Sequence, residues 1–183
     1  MDVETLANKF SKKINLEDVK KLTALTLNRE ISINDLFSLC LYQHQQIAFR
    51  ASWVLENVAD STVNVFEEVV PQFLNAYPQI KNLSVKRHFT KIMMMLYKTN
   101  RLNEQNFNAD LLEKSLTATF DWLLDPKTPL AVQCNALDLV FDFSKKENWV
   151  LEELKVILEK KLVTNSPALK SRSKRLLKRI NSK

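Results

Sequence analysis

The feature that most constrains this chain is a helical stripe that returns four times. Phe49-Arg50, Val85-Lys86, Val132-Gln133 and Leu169-Lys170 each join an apolar residue to a polar, mostly basic one. Four residues on stand Trp53, Phe89, Ala136 and Ser173; seven on stand Glu56, Ile92, Leu139 and Leu176. Offsets of 0, 4, 7 and 11 lie on one face of an α-helix, so each stretch predicts a helix that buries the same face. The copies begin 36, 47 and 37 residues apart, the period of a two-helix solenoid repeat. No stretch shows the strict alternation of a strand. The expected fold is all-α, a right-handed α-α superhelix of about four helical hairpins with an N-terminal helical cap.

The pattern places one repeat domain over 1–183, with cap helices in 1–30 (over 3–10 and 16–28) and repeats over 33–60, 62–99, 108–147 and 150–183. Within the repeats the helices are expected at 34–43 and 46–58, 63–77 and 84–98, 109–124 and 130–145, and 150–163 and 167–180. Pro71 falls inside one of them, where it removes a hydrogen bond and predicts a kink. Asp60-Ser61-Thr62 reads as a turn, and Asn100 to Asn108 as a longer connection. Thr128 is expected to cap a helix that opens on Pro129, a device repeated at Ser166-Pro167. With no glycine in the chain, Asn28, Asn100, Asn148 and Asn165 are the expected left-handed residues at helix ends.

Helix, tight turn, then a helix opening on an apolar-basic pair resembles the HEAT repeat. Val70-Pro71-Gln72-Phe73-Leu74 followed by Val85-Lys86 is the nearest match, with its proline in the first helix. Phe49 to Glu56, Val85 to Phe89 and Lys170-Ser171-Arg172 also resemble a small family of bacterial HEAT-like proteins. The likeness spans about residues 33–180 and implies a HEAT/ARM-like solenoid, without implying an activity. Gln133 departs from it by replacing the basic residue of the pair.

Absence of glycine argues against whole classes of enzyme. Phosphate-cradling loops, nucleophile elbows and dinucleotide fingerprints all need glycine for positive φ or close backbone approach. The two cysteines, Cys40 and Cys134, lie in apolar helical patterns, which fits a reducing compartment without disulfides. Met1-Asp2-Val3-Glu4 opens acidic with no apolar core of a secretory signal, and the longest apolar run, Ile92 to Tyr97, is far short of a membrane span. A cytoplasmic protein is expected. Cys40 and His44 share a helix-like i, i+4 spacing that suits zinc, but a closed site needs more ligands than two cysteines and two histidines supply across separate repeats. The reading therefore holds no metal, no cofactor and no catalytic residue.

The net charge of +6 is unevenly spread. Nine lysines and arginines and no acid lie from Lys160 onward, leaving 18 basic against 21 acidic groups before it. On the last helix Leu169, Leu176 and Ile180 centre an apolar stripe. Lys170, Lys174 and Lys178 flank one edge, and Arg172, Arg175 and Arg179 the other. Since none of these arginines lies on the stripe, their replacement is expected to leave the fold intact. The helix suits either a solvated cap or a surface for phosphate or acidic groups. Together with Arg50, Lys86, Arg87 and Lys91 on the earlier second helices, these six are the candidate partner-binding residues. The function expected is a non-catalytic interaction module that binds a protein partner in a groove lined by second helices. The alternative is a nucleic-acid-binding HEAT-like protein, similar in design to the DNA alkylation repair glycosylases. Over 46–58, Ile47, Ala51, Val54 and Val58 form one apolar face and Phe49 and Trp53 another, so this helix is expected to be buried between neighbours. Phe49 and Trp53 share a register with Val85 and Phe89, so core packing is expected of them rather than a stacking platform.

Overall fold

The computed structural model describes residues 1–61, 63–99 and 109–182, and every regular element among them is helical. Two compact units result, Met1–Leu96 and Tyr97–Lys183. The turn residue Thr62, the connection 100–108 and the capping role expected of Asn100 lie outside the described residues.

The first unit holds α1 (Val3–Ser11), α2 (Leu16–Leu27), α3 (Ile33–Cys40), α4 (Gln45–Ser61), α5 (Val63–Phe66), α6 (Val70–Ala76) and most of α7 (Leu83–Lys98). Local chemistry sets its helix starts. Asn15 and Asp18 form a reciprocal capping box, at 3.0 and 2.9 Å, that satisfies two otherwise orphaned N–H groups of α2. The end of α2 departs from expectation: Asn28 keeps a negative φ, and Arg29 takes the left-handed conformation at φ 63°. Its amide donates to the Thr26 carbonyl and that of Glu30 to the Leu25 carbonyl, closing the helix as glycine usually would. No other described residue has a positive φ, so Asn165 does not cap this way, and Asn148 opens a helix rather than ending one.

The helix expected over 63–77 is broken. After α5 a 3₁₀ turn, Glu67–Val69, intervenes, and α6 restarts at Val70. Pro71 then stands in a first turn, where the N–H it lacks has no intrahelical partner to lose. The apolar stripe survives the break, with Phe66, Val69, Val70, Phe73, Leu74 and Tyr77 all buried. Asp60 and Ser61, expected in a turn, instead finish α4. Phe89 of α7 sits among Phe73, at 4.9 Å, and Phe37 of α3, at 6.3 Å.

Burial also corrects the register of the first repeat. Val85, Phe89, Ile92 and Leu96 are buried as the stripe requires, and so are Val132, Ala136 and Leu139 and Leu169, Ser173 and Leu176. In α4 the residues with that spacing are Ile47, Ala51, Val54 and Val58, all buried, while Phe49 and Trp53 are half-buried and stacked at 6.4 Å. The repeat unit in α4 thus begins at Ile47, two residues before Phe49. A helix with two apolar faces offers two stripes of one period, and only its neighbours choose between them.

In the second unit α8 (Ala109–Leu124) and α9 (Leu130–Phe143) form one hairpin, α10 (Asn148–Leu162) and α11 (Pro167–Asn181) the next, and α9 packs on α8, α10 and α11. Leu137, Val140, Leu154 and Leu158 complete its core. The Asp125 carboxylate accepts from Lys127 N–H at 2.8 Å, making the α8–α9 turn. Pro129 occupies the N-cap and the Thr128 hydroxyl caps nothing; its carbonyl instead accepts from Gln133 Nε2 at 2.8 Å. Gln133 Oε1 in turn accepts from Lys161 Nζ at 2.9 Å. The amide that departs from the HEAT pattern is a buried tie between α9 and α10. Ser166 caps α11 and Pro167 opens it, as expected.

Candidate functional site

Two polar clusters join successive second helices, and neither is visible as a local motif. In the first unit Glu56 of α4 lies against α7, its Oε2 2.5 Å from His88 Nδ1, and its Oε1 accepts from Lys91 Nζ at 2.8 Å. Burial alone would raise the Glu56 pKa, but the bonds and charges of His88 and Lys91 outweigh it and hold the carboxyl below its usual range. The Phe49 ring covers the imidazole at 5.5 Å, and His88 Nε2 is buried without a hydrogen bond among the described residues. A carboxylate-oriented imidazole is half of a catalytic dyad, yet among the described residues no hydroxyl or thiol bonds to this ring, and its side chain is only 7% exposed. The cluster ties α7 to α4.

The same device recurs in the second unit. Asp138 of α9 accepts from Arg172 and, at 2.8 Å, from Arg175 of α11. Counted from the first stripe residue of each helix, His88 and Lys91 occupy offsets three and six in α7, and Arg172 and Arg175 occupy the same offsets in α11. Arg179 lies over the Phe141 ring at 4.5 Å, with Lys145 over the same ring at 5.4 Å and bonded to Asp142 at 2.5 Å.

These contacts divide the ten candidate cations. Arg50 donates to the Phe10 and Ser11 carbonyls at 2.7 and 3.0 Å, closing the C-terminal end of α1. With Arg50, Lys91, Arg172, Arg175 and Arg179 all bind the protein itself. Lys86 is half-buried and Arg87 exposed. Lys170, Lys174 and Lys178 make no ion pair among the described residues and stand one turn apart along α11, half-buried at Lys170 and exposed beyond it. The acids of α9 and α11 are Asp138 and Asp142, and both are already paired. This helical layer is therefore electropositive, and its free charge is lysine.

A cleft of about 340 Å³ opens elsewhere in the second unit, at the start of α8, the end of α9 and the start of α10. Among the described residues, Leu112, Leu116, Phe143, Tyr97 and Trp149 form its apolar lining, and Glu113, Lys146 and Glu147 carry its charge. Cys40 and His44 do not share a helix, because α3 ends at Cys40 and His44 is exposed in the turn beyond. Burial pushes the Cys40 thiol up to about 12, and its Sγ donates to the Leu36 carbonyl at 3.3 Å. Among the described residues no group of His, Cys, Asp or Glu is placed to hold a metal ion.

Packed helical hairpins with a recurrent buried stripe on each second helix define an α-α solenoid. A family model described as a HEAT repeat domain matches residues 6–180, and the chain belongs to that family. Among solved structures it is similar to an engineered protein, 14% identical over 99% of this chain and 74% of the other, with a TM-score of 0.58. It also aligns with a designed armadillo repeat protein at 11% identity over 97% and 99% of the two chains, with a TM-score of 0.44. Comparison with curated proteins found no match. No helix among the described residues is long and apolar enough to cross a membrane.

Proposed function

We propose that this HEAT repeat protein is a non-catalytic scaffold that holds an acidic segment of a protein partner on the α9–α11 layer of its second unit. The observation that carries the reading is the sorting of charge on those helices. Every acid there is paired internally, while Lys170, Lys174 and Lys178 form a row on α11 free of ion pairs among the described residues. Lysines one turn apart stand about 6 Å from each other, a spacing that suits carboxylates on an acidic helix. The buried thiols Cys40 and Cys134 suit a cytoplasmic setting.

Nucleic acid is the competing ligand, since phosphates would satisfy the same row. Against it stands the engagement of five of the candidate cations within the protein, which removes the long basic track that a nucleic-acid backbone needs. A titration separates the two. A Glu-rich helical peptide is expected to bind, and replacing the three lysines with glutamine is expected to abolish that binding without lowering the melting temperature. Duplex and single-stranded DNA are expected to bind no tighter than about 10 µM at physiological salt. Submicromolar, lysine-dependent DNA binding with a steep salt slope would reverse the order of the two readings.

A further inference from the structure

We infer that the cleft at the start of α8, the end of α9 and the start of α10 is a recognition site for an arginine side chain of a partner protein. Its polarity is opposite to that of the lysine row, so it does not rest on the function proposed above.

Guanidinium recognition requires flat apolar surface to stack on and carboxylates to bond. The cleft provides both. Tyr97 and Phe143 meet edge to face at 4.7 Å in its wall, and Leu112 and Leu116 extend the apolar surface that would receive the methylene stem. Trp149 is 55% exposed, yet it is steadied by Phe120, stacked 6.1 Å away. Glu113 and Glu147 are exposed and form no ion pair among the described residues. Glu147 stands at the N-cap of α10 but makes no capping bond through its side chain, so its carboxylate is not consumed by its own helix. The opposing charge is Lys146, whose ammonium lies over the Tyr97 ring at 5.5 Å. That contact shows that the wall already attracts a cation, and among the described residues of the lining it leaves two carboxylates against one ammonium. A volume of about 340 Å³ admits one long side chain with its immediate neighbours, not a folded segment.

The test uses the full chain and two acetylated, amidated pentapeptides, alike except for a central arginine in one and citrulline in the other. Citrulline keeps the shape and removes the charge. Binding is followed by the indole N–H signal of Trp149 in nitrogen-edited NMR, assigned with Trp149→Phe. The arginine peptide is expected to shift that signal saturably, and the citrulline peptide to bind on the order of tenfold more weakly. Glu113→Gln with Glu147→Gln is expected to weaken the arginine peptide by a similar factor, whereas Lys146→Gln, which removes the competing cation, is expected to tighten it. Equal binding of the two peptides, no shift at millimolar peptide, or weaker binding to Lys146→Gln would each overturn the assignment. The peptide comparison on the unaltered chain decides the matter even if the double variant does not fold.

Discussion

Replacing Arg172 and Arg175 with glutamine tests the most specific structural claim, that these arginines hold α11 to α9 rather than offer free charge. The Asp138 side chain is 15% exposed, Arg172 29% and Arg175 54%. Arg175 alone behaves as an exposed pair, so Arg175→Gln is expected to cost about 0.5 kcal/mol. Arg172→Gln removes the more buried donor and is expected to cost about 1–2 kcal/mol, the range of a hydrogen bond to a charged group. The double variant strands a nearly buried carboxylate. Its cost is expected at about 2–4 kcal/mol, a little under that of breaking a fully buried pair because Asp138 keeps some contact with water. Adding Asp138→Asn removes the stranded charge and is expected to restore at least about 1 kcal/mol, a non-additivity that marks direct contact. Urea unfolding followed by far-ultraviolet circular dichroism supplies the numbers, with m unchanged across the series. A double variant within about 0.5 kcal/mol of the parent, or no recovery with Asp138→Asn, would refute the tie and return the arginines to the solvated edge that the helical wheel suggests.

Glu56 links stability to pH. Its folded pKa lies below the ordinary glutamate value, so its contribution is fully present above that ordinary value and is lost as pH falls through the folded pKa. Glu56→Gln is expected to cost about 1–3 kcal/mol at neutral pH and to flatten the acid limb of a stability–pH profile; an unchanged limb would assign acid unfolding elsewhere. Packing separates two aromatic residues that share a place in the repeat motif. Phe89→Ala empties a fully buried site between Phe37 and Phe73 and is expected to cost about 3–5 kcal/mol, while half-buried Trp53→Ala is expected to cost about 1–2. Equal losses in urea denaturation would restore the register that begins at Phe49.

Among the candidate site residues, the sequence alone could count the cations but not assign their partners. Asp138 lies 34 residues from Arg172, and Glu56 lies 32 from His88. One signal was present: the matching offsets of His88 with Arg172 and of Lys91 with Arg175 in their helices. It gains meaning only when an acid on the preceding second helix is seen opposite. The cleft was illegible for the same reason, since Tyr97, Leu112, Phe143 and Trp149 come from separate helices and share no spacing.

What the sequence by itself determined is what short-range periodicity encodes. A stripe at offsets 0, 4, 7 and 11 can be buried only by a helix, so the all-α class, the place of each second helix and the core residues of α7, α9 and α11 follow from spacing. Capping by Asn15 and Ser166 follows too, because a cap acts within three residues. Tertiary structure decided what depends on a neighbour. It chose Ile47 over Phe49 as the start of the buried stripe in α4, because a two-faced helix takes its register from what packs on it. It placed the left-handed turn at Arg29 rather than Asn28, where the closing bonds to Leu25 and Thr26 set the end of α2. It turned the arginine edge of α11 into internal ties, leaving the lysine edge without ion pairs among the described residues, because where a charge is spent depends on the groups folded against it.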